Sequence, residues 1–230
     1  MKTLILALTI LSGFGGIKAT QNQEKVYTLP SPSLKGNVSV EEALQSRRSR
    51  RQFDDRELST EQLSQILWSA YGITLKRDSN PNLRGGLRTA PSAGALYPLE
   101  IYVFVGKVKG IDPGVYKYIP KDHSIVLVMD KDLRSELSAA ALNQKMIKDA
   151  PTVLVYTSVL ERSGKYGQRG KERYIFMDLG HSAENVYLQA EALKLGTCAV
   201  GAFSDEAVKK LMQLPEGEEP VYLMPVGYCK

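Results

Sequence analysis

The chain has 230 residues, 43% of them hydrophobic and 24% charged, an ordinary globular composition with room for one domain and a substantial core. The formal net charge is +5, and subtracting Lys2 and Lys18 of the amino-terminal segment leaves +3, too mild to argue for a nucleic-acid partner. Cys198 and Cys229 lie outside any CxxC pair and give no support to a metal site; they could pair in an oxidising compartment or stay free thiols.

Lys2 precedes the apolar run Leu4–Leu11, and Gly13, Gly15, Gly16 and Ala19 follow. A positive start, a short apolar core and small residues are the layout of a secretory signal peptide, and the run is too short to span a bilayer. Residues 1–19 are therefore read as a signal peptide of an exported protein, periplasmic or secreted. The alternatives are an uncleaved anchor, which would be the chain's attachment to a membrane, and an ordinary apolar start, which leaves a cytoplasmic location open. No twin-arginine pair precedes the run, so a chain exported unfolded would collect any cofactor outside the cytoplasm. Residues 20–38, with Pro30, Pro32 and Gly36 among polar residues, read as a linker or arm.

Ser39 with Glu42 forms a capping-box pattern, which predicts a short helix over 40–45. It runs into Arg47-Arg48-Ser49-Arg50-Arg51-Gln52-Phe53. A compact arginine cluster can be a solvated face, a nucleic-acid patch or a phosphate site. The interposed hydroxyl and the planar guanidinium forks suit phosphate oxygens. Ser59 opens a second capped helix ending near Tyr71, with Leu63, Ile66, Leu67 and Ala70 on its core face and Trp68 taken as core. Residues 76–86 read as a loop that delivers Arg88, either to an acidic partner or towards a ligand.

The stretch Pro91-Ser92-Ala93-Gly94 is a small-residue turn leading through Pro98 into the apolar run Leu99–Val105, a core strand. Its side chains carry little bulk, so a flat ligand could lie against the main chain. Val115–Ile119 and Ile125–Met129 form a hairpin pattern with His123 at its tip, read as a turn residue. A helix over 132–142, then Asn143-Gln144, precedes a strand over 152–157, and residues 163–170 read as a loop. From about Lys171 to Leu195 the pattern is helical. Leu179, Ala183, Val186, Ala190 and Leu193 form an apolar stripe that is a core or a subunit seam, and Gly196 is the stop signal. Thr197–Phe203 is again small and apolar, and a last strand spans 221–226 before Gly227-Tyr228-Cys229-Lys230.

Several of these stretches together resemble the nitroreductase superfamily, most of all its SagB-type branch of flavin enzymes that oxidise azoline rings in peptides. They are PSAGALYPLEIYV, RRSRRQF, GVYKY followed by His123, and Arg173-Tyr174 with Asp178-Leu179-Gly180-His181. The resemblance covers residues 39–230. It implies an α+β fold, with a central, mostly antiparallel sheet flanked by helices, an intertwined homodimer and bound FMN. Carried over by residue, Arg47, Ser49 and Arg51 would hold the ribityl phosphate and flavin edge, with Arg48 as an extra contact and Arg50 facing solvent. Pro91, Ser92, Ala93 and Gly94 would lie along the flavin, Gln144 would face its pyrimidine, and Ala199, Val200 and Gly201 would approach the ring. Lys230 would reach the phosphate. His181, inside the long helix, is read as a hydrogen-bonded structural residue.

Flavin chemistry asks of the protein mainly position and electrostatics. No Ser-His-Asp constellation, HExxH, P-loop or Rossmann GxGxxG stands in the chain, and no catalytic residue is assigned. NAD(P)H stays compatible as a reductant that stacks on the flavin. Three readings follow: an FMN-dependent oxidoreductase acting on a small organic substrate, an azoline dehydrogenase acting on a peptide with a cyclising partner enzyme, and an exported non-enzymatic flavin-binding module.

Overall fold

The computed structural model describes residues 25–230; residues 1–19, read above as a signal peptide, lie outside them. The strands are β1 (Val26–Thr28), β2 (Ile73–Lys76), β3 (Gly86–Arg88), β4 (Leu99–Val105), β5 (Gly114–Ile119), β6 (Ser124–Met129), β7 (Thr152–Val159), β8 (Gly196–Thr197) and β9 (Glu218–Gly227). The α-helices are α1 (Val40–Ser46), α2 (Thr60–Tyr71), α3 (Arg134–Ala140), α4 (Lys145–Asp149), α5 (Gly167–Arg169), α6 (Ile175–Ala192) and α7 (Asp205–Met212). Seven strands make one sheet in the order β1-β6-β5-β4-β7-β9-β8, with every pair antiparallel, so the expected α+β architecture is what the chain adopts.

Strand alternation divides the core into two layers. Ile101, Val103 and Val105 of β4, with Leu154 and Tyr156 of β7, face α2 and α6. Tyr102 and Phe104, with Val153 and Val155, face α3, α4 and α7. This period of two is what a strand covered on both faces requires, and it explains why Ile101–Val105 of β4 and Val153–Tyr156 of β7 are apolar without a break. On the first face Tyr156 Oη shares a 2.9 Å hydrogen bond with Ser182 Oγ, which donates to the Ala70 carbonyl at 2.6 Å. Sheet, α6 and α2 are thereby joined by one satisfied polar chain inside an apolar layer.

The predicted capping box of Ser39 with Glu42 is present, and the predicted cap Ser59 forms a second box with Gln62. Elsewhere the elements differ from expectation. The stretch read as an arm contains β1, which pairs with β6 as an edge strand, and Leu29 just beyond it is buried. Residues 76–86 are part of an antiparallel ribbon of β2 and β3 around a 3-10 turn at Pro81–Leu83, too short to announce itself by alternation. Gly86 is required there: at φ 151°, a Cβ would stand 2.2 Å from the Leu75 carbonyl oxygen. Residues 163–170 are not a loop but 3-10 and helical turns, continuing through a π turn at Gly170–Tyr174 into α6.

Helix α6 ends without Gly196 in the left-handed role. Lys194 takes that conformation at φ 57°, and the Leu195 N–H donates to the Ala190 carbonyl at 2.8 Å. The stripe Leu179, Ala183, Val186 and Ala190 is internal core. The exposed apolar residues of α6 are Phe176 and Met177 at its start; at 100° per residue Phe176 lies at the border of the stripe and Met177 on the opposite side. No described helix is long and apolar enough to cross a membrane.

Candidate functional site

The strip Arg47–Phe53 is held in place as an irregular edge between β8 and the carboxyl terminus. Ser49 bridges to Thr197, the Arg50 N–H donates to the Thr197 carbonyl at 2.9 Å, and Phe53 bridges to Cys229. The Lys230 N–H donates to the Gln52 carbonyl at 3.2 Å. This pairing sets Lys230 beside Gln52, with its charge near Asp54, although they are far apart in sequence.

Tyr187, in the carboxyl half of α6, is the hub. Its hydroxyl accepts the Ala199 N–H at 2.8 Å and shares a 3.0 Å hydrogen bond with Ser49 Oγ. Its ring lies under the Arg47 guanidinium, 5.4 Å from the centroid. One buried side chain therefore fixes residues of two separate predicted motifs. Beyond Ala199, Val200 exchanges hydrogen bonds with Leu223 of β9 at 2.9 and 3.0 Å, while Gly201 and Ala202 are exposed. Gln144 Nε2 donates to the Ala202 carbonyl at 2.8 Å and to Ala141 at 3.0 Å, so its amide nitrogen braces this loop.

The four arginines fall into three situations. Arg47 and Arg51 have no carboxylate partner among the described residues; Arg51 makes only a long 3.4 Å contact to the Ser49 carbonyl. Arg48 Nη1 donates to the Gln45 and Arg47 carbonyls at 2.9 and 2.8 Å, closing the end of α1. Arg50 is half-buried and pairs with Glu191 at 3.7 Å, which ties the strip to α6. Donors thus remain open on Arg47 and Arg51, next to Ser49. That is the chemistry a phosphate monoester needs, and it fits the phosphate end of FMN.

The small-residue loop is fixed higher up the same helix. Asp178 is 3% exposed; its carboxylate accepts from Ser92 Oγ at 2.5 Å and from the Ala93 N–H at 3.1 Å, while Ser92 Oγ accepts the Tyr97 N–H at 2.9 Å. Burial pushes the Asp178 carboxyl above its ordinary pKa, against the pull of these two donors. Gly94, Ala95 and Tyr97 all have left-handed backbone, at φ 60°, 54° and 47°. Two of the three are not glycine, so the turn is strained and depends on the Asp178 clamp. Over Gly94 lies the Tyr166 hydroxyl, 2.4 Å from where a Cβ would stand. Asp178 and Tyr187 are nine residues apart, about 14 Å along α6 at 1.5 Å per residue.

Sequence reasoning did not find Tyr187, nor the clamping role of Asp178. Asp178 stood in a matched motif, but nothing in sequence distinguishes Tyr187 from a core aromatic. His181 is exposed rather than packed: at 100° per residue it lies about 200° around the helix from Leu179 of the buried stripe. His123 keeps its turn role at φ 47° and is a structural junction, with Nδ1 2.9 Å from Tyr118 Oη and Nε2 2.7 Å from Ser64 Oγ and 3.0 Å from the Pro30 carbonyl. Trp68 is half-buried and lines a cavity of about 850 Å³ bounded by residues 31–43, α2 and α6. Both cysteines are free, and no described cluster of His, Cys, Asp or Glu could hold a metal ion.

Residues 44–228 match the sequence profile of the Nitroreductase family. A protein of Methanocaldococcus jannaschii named "Putative nitroreductase" is 47% identical over 191 residues, covering 83% of this chain and 91% of that protein. The microcin B17-processing protein McbC of Escherichia coli is 26% identical over 169 residues, covering 71% of this chain and 59% of McbC. The crystal structure of a "putative nitroreductase" from Ralstonia eutropha superposes with a TM-score of 0.75 at 30% identity, covering 89% of this chain and 90% of that one.

Proposed function

The chain belongs to the nitroreductase family of oxidoreductases, and on that premise we propose that it is an FMN-dependent enzyme working as a homodimer on a small organic substrate. The observation that carries this reading is the Tyr187 hub, which gathers Arg47, Ser49 and the Ala199–Gly201 loop into one place. When bound, FMN supplies the hydride-accepting ring, with NAD(P)H as the compatible reductant. Arg47, Ser49 and Arg51 bind the phosphate by charge and hydrogen bonds, with Lys230 adding charge from the carboxyl terminus and Arg48 an outer contact. Ala199, Val200 and Gly201 present main chain to the ring. Gln144 acts on the pyrimidine edge through the loop it braces. The turn Pro91–Gly94 offers a flat wall with little bulk. The exposed pair Phe176 and Met177 on α6 suits burial against a second copy. Export through residues 1–19 completes the proposal.

The second reading, an azoline dehydrogenase acting on a peptide, is supported by the likeness to McbC, named as a microcin B17-processing protein. It predicts turnover of a cyclised peptide in the presence of a cyclising enzyme and none of simple nitroaromatics or quinones. The test of the primary reading is the double variant R47A/R51A. Charge-assisted hydrogen bonds contribute about 1.5–3 kcal/mol each, so FMN affinity should fall at least about a hundredfold while the circular dichroism spectrum stays unchanged. Full flavin retention in that variant contradicts the phosphate assignment.

A further inference from the structure

A second cavity, about 530 Å³, lies away from Tyr187, where the β2–β3 ribbon meets the end of β5. Its charged lining is Arg84, Arg88, Lys117 and Lys121 against Asp78 and Glu100. Glu100 is already committed, to Lys117 at 3.6 Å and to Arg162 in a close ion pair. Lys121 has no acidic partner among the described residues, and its stem lies against Gly85. The cavity therefore carries excess positive charge in a part-buried place.

The two arginines are built in, not draped over a surface. The Arg88 guanidinium lies 4.3 Å from the Tyr71 ring centroid and 5.0 Å from that of Tyr97. Its Nε is buried without a hydrogen-bond partner, and its Nη1 reaches only the Tyr71 carbonyl at 3.5 Å. Arg84, at the left-handed φ of 45°, donates Nη1 to the Leu96 carbonyl at 3.0 Å and Nη2 to the Tyr97 carbonyl. A guanidinium has five N–H donors, so these contacts leave some unspent. Burial, with Arg162 and Arg88 beside it, lowers the Arg84 pKa to about 10. Two neighbouring cations held together out of water are costly, and Glu100, which faces both but is shared with Lys117 and Arg162, offsets only part of their charge.

We propose that this cavity binds a doubly charged anionic group of the phosphate-monoester class, gripped by Arg84 and Arg88 inside and by Lys121 at the rim. Two cations beyond the acids of the lining match a dianion, and the paired arginine forks match its oxygens. Because Arg84 holds the carbonyls of Leu96 and Tyr97, the bound group would sit behind the strained turn Gly94–Tyr97. The inference does not depend on the flavin assignment, which concerns Arg47 and Arg51.

The experiment is calorimetric titration of inorganic phosphate into the full-length protein, in phosphate-free buffer. It uses the R47A/R51A background, so that the strip beside Tyr187 does not contribute. Saturable binding is expected, tighter for phosphate than for acetate, and weakened about tenfold or more by either Lys121→Glu or Arg84→Gln. Lys121→Glu changes only a rim side chain and keeps the test valid if Arg84→Gln perturbs folding. Absence of saturable binding, acetate binding as tightly as phosphate, or affinity unmoved by Lys121→Glu overturns the proposal. Whether R47A/R51A retains flavin has no bearing on that result.

Discussion

Replacing Tyr187 with phenylalanine removes one oxygen from the hub and leaves its ring in place. The Arg47 contact over the ring at 5.4 Å survives, so the perturbation isolates the hydroxyl. Ser49 is exposed and can turn to water, so losing its 3.0 Å bond costs little. The part-buried Ala199 N–H loses its 2.8 Å acceptor. An unsatisfied buried donor costs about 1–3 kcal/mol. With a urea slope of about 2 kcal/mol/M, the unfolding midpoint should drop by about 0.5–1.5 M with the slope unchanged. The same loss frees the start of the Ala199–Gly201 loop, so FMN affinity should weaken about tenfold, the equivalent of about 1.4 kcal/mol. Urea denaturation followed by circular dichroism, with fluorimetric titration of FMN, measures both. If Y187F unfolds at the parent midpoint and binds FMN equally well, Tyr187 is a passive core residue and the hub argument fails.

Two further outcomes follow from buried polar groups. Asp178→Ala strands the Ala93 N–H and Ser92 Oγ and should destabilise by about 1–3 kcal/mol, partly offset because a buried carboxylate is also removed; Asp178→Asn should lose less, and equal losses in the two variants would contradict the clamp. His123 lies at the junction of β1, α2 and the β5–β6 hairpin, with Nε2 carrying the proton that Pro30, an acceptor only, requires. Burial holds its pKa below the ordinary value, so the unfolded chain takes up the proton more readily. Its contribution is complete above about pH 6.5 and shrinks as pH falls from there towards the depressed folded value. Chemical denaturation across pH 5–8 should show this decline in the parent and a flatter profile in His123→Asn; parallel profiles would refute it.

The parts of the fold legible in sequence are those governed by local rules. Ser39 and Ser59 cap their helices as their spacing requires, and β4 and β7 fall where strands are expected. The elements that escaped are those decided at long range. Nothing local to Val26–Thr28 says that it adds to β6, and β2 and β3 are too short for a periodic signal. The site divides the same way. Arg47, Ser49 and Arg51 stood out as a phosphate-seeking cluster, whereas Arg50 differs from its neighbours only through Glu191, a residue of α6. Ser92 looked like a small wall of the pocket, but Asp178, 86 positions on, takes its hydroxyl. Tyr187 was invisible for the same reason: its partners Ser49 and Ala199 come from opposite sides in the chain and meet it only in the fold.

The most direct test is the absorbance spectrum of the protein, purified after expression with excess flavin, followed by mass identification of what denaturation releases. The account predicts the two-banded spectrum of an oxidised flavin, bleached by a reductant, and FMN as the released molecule. A colourless protein that also takes up no added FMN would contradict it.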